Sequence, residues 1–115
     1  MSQIPDEVRA ALDGLQSLGG TSLLKQMVVL FVDYSRDRIA ALEAAASAGD
    51  LVSAAAAAHT LKGSARQLGL VAMGNACVAV EEACKQGNTA GVQTRTAAVH
   101  EQYTTAVEWL TSATA

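Results

Sequence analysis

One phenylalanine, two tyrosines, one tryptophan and a single proline are spread over 115 residues. So few aromatic and strand-forming side chains argue against a β fold, whose sheets draw on both. Pro5 stands at the extreme N-terminus, so every residue from Asp6 onward is free to be helical without a forced break. An excess of positive charge is also missing. The formal net charge is −3 with a pI near 5.2 and no dense stripe of lysine and arginine, which points away from nucleic acid and from a membrane surface. No run of about 18 apolar residues is seen that would span a bilayer, and residues 1–9 lack a basic segment followed by an apolar one, so the expected location is cytoplasmic. Cys77 and Cys84 are seven apart and match no CxxC or Cys/His pattern. They read as buried free thiols, and no metal site is expected.

What the chain has in quantity is alanine, at 24 positions within an apolar fraction of 50%. That composition favours closely packed helices. The length suits one core, so residues 1–115 are expected to form a single all-α domain.

Helix signals then cut the chain into five segments. Pro5, Asp6 and Glu7 open the first, with acidic side chains at the positive end of the helix dipole and an apolar stripe of Val8, Leu12, Leu15 and Leu18. Gly19-Gly20 ends it, and Thr21 or Ser22 caps a long second helix through about Ala48, with Leu24, Val28, Phe31, Ile39 and Leu42 at helical spacing. Gly49-Asp50 closes that helix and caps a third over residues 51–68, after which Gly69 takes a left-handed conformation. A fourth covers residues 71–86 with Met73, Cys77, Val80 and Cys84 in its stripe, and Gly87-Asn88 supplies the stop and the next cap. The last carries Val92, Thr96, Val99, Tyr103, Ala106 and Leu110 at steps of four and three, the spacing of a helical bundle. Short connections make consecutive helices antiparallel. The expected architecture is an up-and-down antiparallel four-helix bundle with a short additional N-terminal helix.

Turning the third helix by about 100° per residue puts Ala54, Ala57, Leu61, Ala65 and Leu68 on one side and His59 on the other. Val52, Ala55, Lys62, Gly63 and Arg66 share the exposed face with the histidine. Imidazole is a good neutral nucleophile near pH 7, and its nitrogen can hold a phosphoryl group. A phosphoryl group in transit spreads negative charge over its oxygens, so a lysine one turn along places compensating charge where it develops. Gly63 costs the helix about 1 kcal/mol and leaves room for a protein surface to come close.

The run His59-Thr60-Leu61-Lys62-Gly63-Ser64-Ala65, followed by Gly69-Leu70, resembles the His-x-x-Lys-Gly signature of histidine-containing phosphotransfer (HPt) domains. The likeness extends to Phe31, to residues 42–50 and to residues 77–83. It implies that His59 accepts the phosphoryl group, that Lys62 assists, and that Gly63 makes room for a response-regulator receiver domain. It also implies that Glu81, twenty-two residues after the histidine, accepts a hydrogen bond from the second ring nitrogen. A wheel of the fourth segment agrees, with Glu81 at the border of the core stripe and Glu82 toward solvent. Lys85, one turn further, would extend the positive surround, while Val52, Ala55, Ala56 and Arg66 would shape partner binding.

The expected function is that of a phosphorelay intermediate, taking phosphate on His59 from a receiver aspartate or a kinase and passing it to another receiver. The chain has no Gly-rich nucleotide loop and no length for a kinase domain, so it is not expected to be an enzyme with autokinase activity. No cofactor of its own is implied, Mg²⁺ being expected in the partner receiver. Receivers and a sensor or hybrid histidine kinase are the expected partners of a monomer. The rival readings are a module of the same fold that docks signalling partners without transfer, and a plain helical scaffold. His100, with no Lys-Gly companion, reads as structural or solvent-facing, and Phe31, Tyr34, Tyr103 and Trp109 as core or end cover.

Overall fold

Three glycines with positive φ, Gly49 (70°), Gly69 (70°) and Gly87 (65°), set where the helices end. At each, two amides turn back onto the last helical carbonyls. Gly49 and Asp50 donate to Ala46 and Ala45 (3.2 and 2.9 Å), Gly69 and Leu70 to Arg66 and Ala65 (3.1 and 2.9 Å), and Gly87 and Asn88 to Cys84 and Ala83 (3.1 and 3.0 Å). This paired closure needs a left-handed residue, which glycine adopts without a Cβ penalty. Two of the joints also start the next helix: the Asp50 carboxylate accepts from the Ser53 amide at 3.1 Å and the Asn88 side chain from the Gly91 amide at 2.9 Å. The bond from Ser53 holds the Asp50 carboxyl below the usual carboxylate range.

The computed structural model describes residues 3–115; Met1 and Ser2, part of the stretch considered above as a leader, lie outside it. The helices are α1 (Asp6–Ala48), α2 (Leu51–Gln67), α3 (Val71–Lys85) and α4 (Thr89–Ala113), with no strand among the described residues. A straight helix as long as α1 would measure about 65 Å. The whole molecule is 44 Å in its longest dimension. The difference is a bend at Gly20 (φ 73°, ψ −170°), so the two segments expected before Ala48 are two arms of one element. Thr21, expected as a cap, instead accepts a bond from the Gln16 side chain across the bend at 3.2 Å. Leu18, expected in the core stripe, is 81% exposed because it sits at the tip where the first arm runs out.

α1 packs on α2 and α4, α2 on α3, and α3 on α4, closing an up-and-down ring. Leu24, Val28, Phe31, Ile39 and Leu42 of α1 meet Leu61, Met73, Val80, Val92, Val99 and Leu110 inside it. Ala54, Ala58, Ala65, Ala83 and Ala106 are fully buried, so alanine does here what the composition suggested, bringing backbones close. Truncating Leu61, which has no exposed surface, to alanine would cost about 2–5 kcal/mol.

Three further sequence expectations need correction. Cys77 is buried but Cys84 only partly so. Tyr34 is a surface residue at 45% exposure, its ring covered by the Arg38 guanidinium 4.8 Å from the centroid. Tyr103, by contrast, packs against the core as expected, partly buried and donating to the Val32 carbonyl at 2.7 Å. And α1 does contain one 18-residue stretch, of mean hydropathy 1.2, with the length and composition of a membrane span, although the same helix supplies a large share of the bundle core.

Candidate functional site

α2 is anchored through Ala54, Ala57, Ala58, Leu61 and Ala65, all buried, and its opposite face is left to solvent. His59 stands on that face with 71% of its side chain exposed. Across the groove, burial of Met73, Cys77, Val80 and Ala83 turns α3 so that Glu81 lies at the edge, 19% exposed, while Glu82 points outward at 54%. Glu81 then bridges two residues of α2. Its Oε2 is 3.3 Å from His59 Nδ1 and its Oε1 is 2.7 Å from Lys62 Nζ.

Lys62 departs from the helical wheel, which put it in the open. Its side chain is only 17% exposed, because the aliphatic stem lies along the α2–α3 groove to bring the ammonium onto Glu81. Burial pushes the Glu81 carboxyl upward, but hydrogen bonds from Lys62 and His59, together with their charges, outweigh it and hold the group below the ordinary carboxylate range. Glu81 is therefore ionised at neutral pH, so His59 Nδ1 must be the donor. That tautomer leaves Nε2 with its lone pair directed to solvent. The arrangement supplies a nucleophilic nitrogen, an anion behind the ring to offset positive charge gained on bond formation, and a cation one turn away.

Gly63 is exposed, and a Cβ built on it would meet nothing within 4 Å. The bare backbone is thus not required by packing inside the chain. Val52 (82% exposed), Ala56 and Arg66 are open to solvent around His59, and Ala55 is half-buried. Lys85 is 76% exposed and 3.9 Å from Glu82, so its charge leans toward that carboxylate.

Residues 26–109 match the sequence model of the Hpt domain. The chain belongs to the Hpt domain family. A solved structure, the histidine-containing phosphotransfer protein B (HptB) from Pseudomonas aeruginosa PAO1, shares the fold with a TM-score of 0.85 at 22% identity, over 96% of this chain and 93% of that one. Comparison with curated proteins gave no match. In this Hpt domain the family match spans α2 and α3 whole and hence the entire His59–Glu81–Lys62 cluster. Two features of it escaped the sequence reading. His100 is joined to Glu43, Nδ1 to Oε2, at 3.1 Å, a contact between residues 57 apart with no local signal. Gly74 is buried in α3 beneath the Arg66 side chain; like Gly63 it is an unforced mid-helix glycine, and that alone could have singled it out.

Proposed function

We propose that His59 takes a phosphoryl group from the aspartyl phosphate of a receiver domain and returns it to the aspartate of another, making the chain a phosphorelay intermediate. The observation that carries this reading is the shared carboxylate: Glu81 holds His59 Nδ1 and Lys62 Nζ at once, beside the open backbone of Gly63. In the forward step the Nε2 lone pair attacks phosphorus, the N–P bond forms as the acyl-phosphate O–P bond breaks, and the leaving group is the receiver's carboxylate. The ring keeps its Nδ1 proton and becomes cationic, a charge that ionised Glu81 stabilises. Lys62 is one turn from His59 and within reach of the phosphoryl oxygens on a short swing from Glu81. Reversal against a second receiver restores the neutral imidazole. Val52, Ala55, Ala56, Arg66 and Lys85 form the rim a receiver would cover.

On this reading residues 1–115 act as one cytoplasmic, monomeric Hpt-like domain without autokinase activity, served by a sensor or hybrid kinase through its receivers, with Mg²⁺ held on the receiver side. The test is incubation of the chain with purified receivers carrying labelled aspartyl phosphate. Acid-labile label is expected on the wild-type chain and not on His59→Gln. Receiver binding without any label would instead favour a docking module of the same fold. Label from ATP alone would contradict the absence of kinase activity.

A further inference from the structure

The charges on the His59 face are unevenly matched. Lys62 is paired with Glu81 at 2.7 Å, and Lys85 lies 3.9 Å from Glu82. Arg66 is exposed and has no carboxylate within ion-pair distance among the described residues. Its stem has a seat on the neighbouring helix, however. It lies across α3 at Gly74, where a built Cβ would be 3.5 Å from its Cγ and 3.7 Å from its Nε, and the guanidinium is near enough to Cys77 to act on that thiol's ionisation. The stem is thereby seated on α3 at a glycine that offers no side chain in its way, two turns along α2 from His59.

We propose that Arg66, seated on Gly74, selects the receiver by demanding an acidic side chain opposite it in the docked pair. The inference rests on the phosphotransfer reading and deepens it. A receiver that covers the His59 face strips water from Arg66, and a guanidinium so buried without an anion is strongly penalised. Receivers that place aspartate or glutamate there are accepted and gain a forked, charge-assisted contact; those that place an apolar or basic residue there are turned away. Because the stem is already fixed, less freedom is lost when the contact forms. Arg66 also stands in the last turn of α2, where a cation suits the helix dipole, so a purely structural role must be separated from selection.

The full chain is compared with its Arg66→Met, Arg66→Glu and Arg66→Lys variants, each first checked for an unchanged melting profile. Transfer from a panel of labelled receivers is followed against receiver concentration and ionic strength. For the preferred receiver, Arg66→Met raises the half-saturating concentration about tenfold and leaves the maximal rate within about twofold. Arg66→Glu raises it further and shifts preference toward receivers with a basic residue on the docking face, and Arg66→Lys, which keeps the charge but not the fork, recovers only part of the loss. Salt weakens the wild type more than Arg66→Met. Equal half-saturation and equal salt dependence in wild type and Arg66→Met would overturn the inference while leaving phosphotransfer intact. If no receiver labels the wild type, the phosphotransfer reading falls separately. Calorimetric binding of receivers to the unphosphorylated chain then decides on Arg66, with equal affinities for wild type and Arg66→Met, or none for either, overturning it.

Discussion

The molecule contains the same two-residue device twice. His59 meets Glu81 across the α2–α3 groove and His100 meets Glu43 across the α1–α4 groove, Nδ1 to Oε2 in both, at 3.3 and 3.1 Å. Both imidazoles are more than half exposed. A pinned, solvent-facing histidine is therefore not enough by itself to propose a phosphoacceptor. Around His59 the carboxylate is shared with an ammonium and the next turn of helix is bare. Around His100 the next turn presents Tyr103, tied to Val32, and Thr104, which donates to the His100 carbonyl at 3.1 Å, and among the described residues no lysine or arginine joins Glu43. The added cation and the missing side chain are what single out His59 for the proposed role.

The largest effect on that contrast should come from His59→Gln, which is expected to remove acid-labile label entirely, while His100→Gln retains it; loss in the second protein and survival in the first would reverse the assignment. Next, Lys62→Ala should slow transfer about 100-fold in single-turnover assays, as expected when a charge facing the developing oxyanion is removed. Gly63→Leu should separate docking from folding. Its side chain has open space, so stability should rise by about 1 kcal/mol through helix propensity, raising Tm by a few degrees in a thermal melt, while transfer to receivers falls at least about tenfold.

Glu81→Gln should have a smaller effect on transfer and a clear signature in pH. Glu81 ionises below its ordinary value of 4.5 in the folded chain, so its contribution to stability is fully present above that value and is lost as pH falls through the depressed native pKa. The gap in Tm between wild type and Glu81→Gln should accordingly narrow as pH is lowered through that window. Smallest of all, His100→Gln should change stability by no more than about 1 kcal/mol, since the Glu43 contact is a half-exposed pair. A tenfold loss of transfer in that variant would show that the second histidine does more than join helices.

Much of this was legible in sequence because the signals are local. Gly49-Asp50 and Gly87-Asn88 each announce a stop and a start within two residues, and the apolar periods of α2 and α3 fix which sides face inward. The outward direction of His59 and the edge position of Glu81 follow from those periods. What was not legible depends on how helices meet. A wheel gives the direction of the Cα–Cβ bond of Lys62 but not where its flexible stem turns, and the groove that draws it in exists only once α3 is packed. Glu43 and His100 come together through the register of α1 on α4, which no short-range pattern encodes. Leu18 keeps the helical period but lies beyond the point where the bundle has anything to cover it.

Gly69 ends α2 ten residues past His59, and any side chain there would collide with the Glu7 carbonyl of the folded-back first arm. The latch that secures the N-terminal arm is thus built at one end of the very helix whose middle carries the proposed phosphoacceptor. About 15 Å of rigid rod separates the two. Damage to the latch should loosen the molecule's collar and lower its melting point without dulling the nitrogen, so that durability and reactivity can drift independently along a single helix.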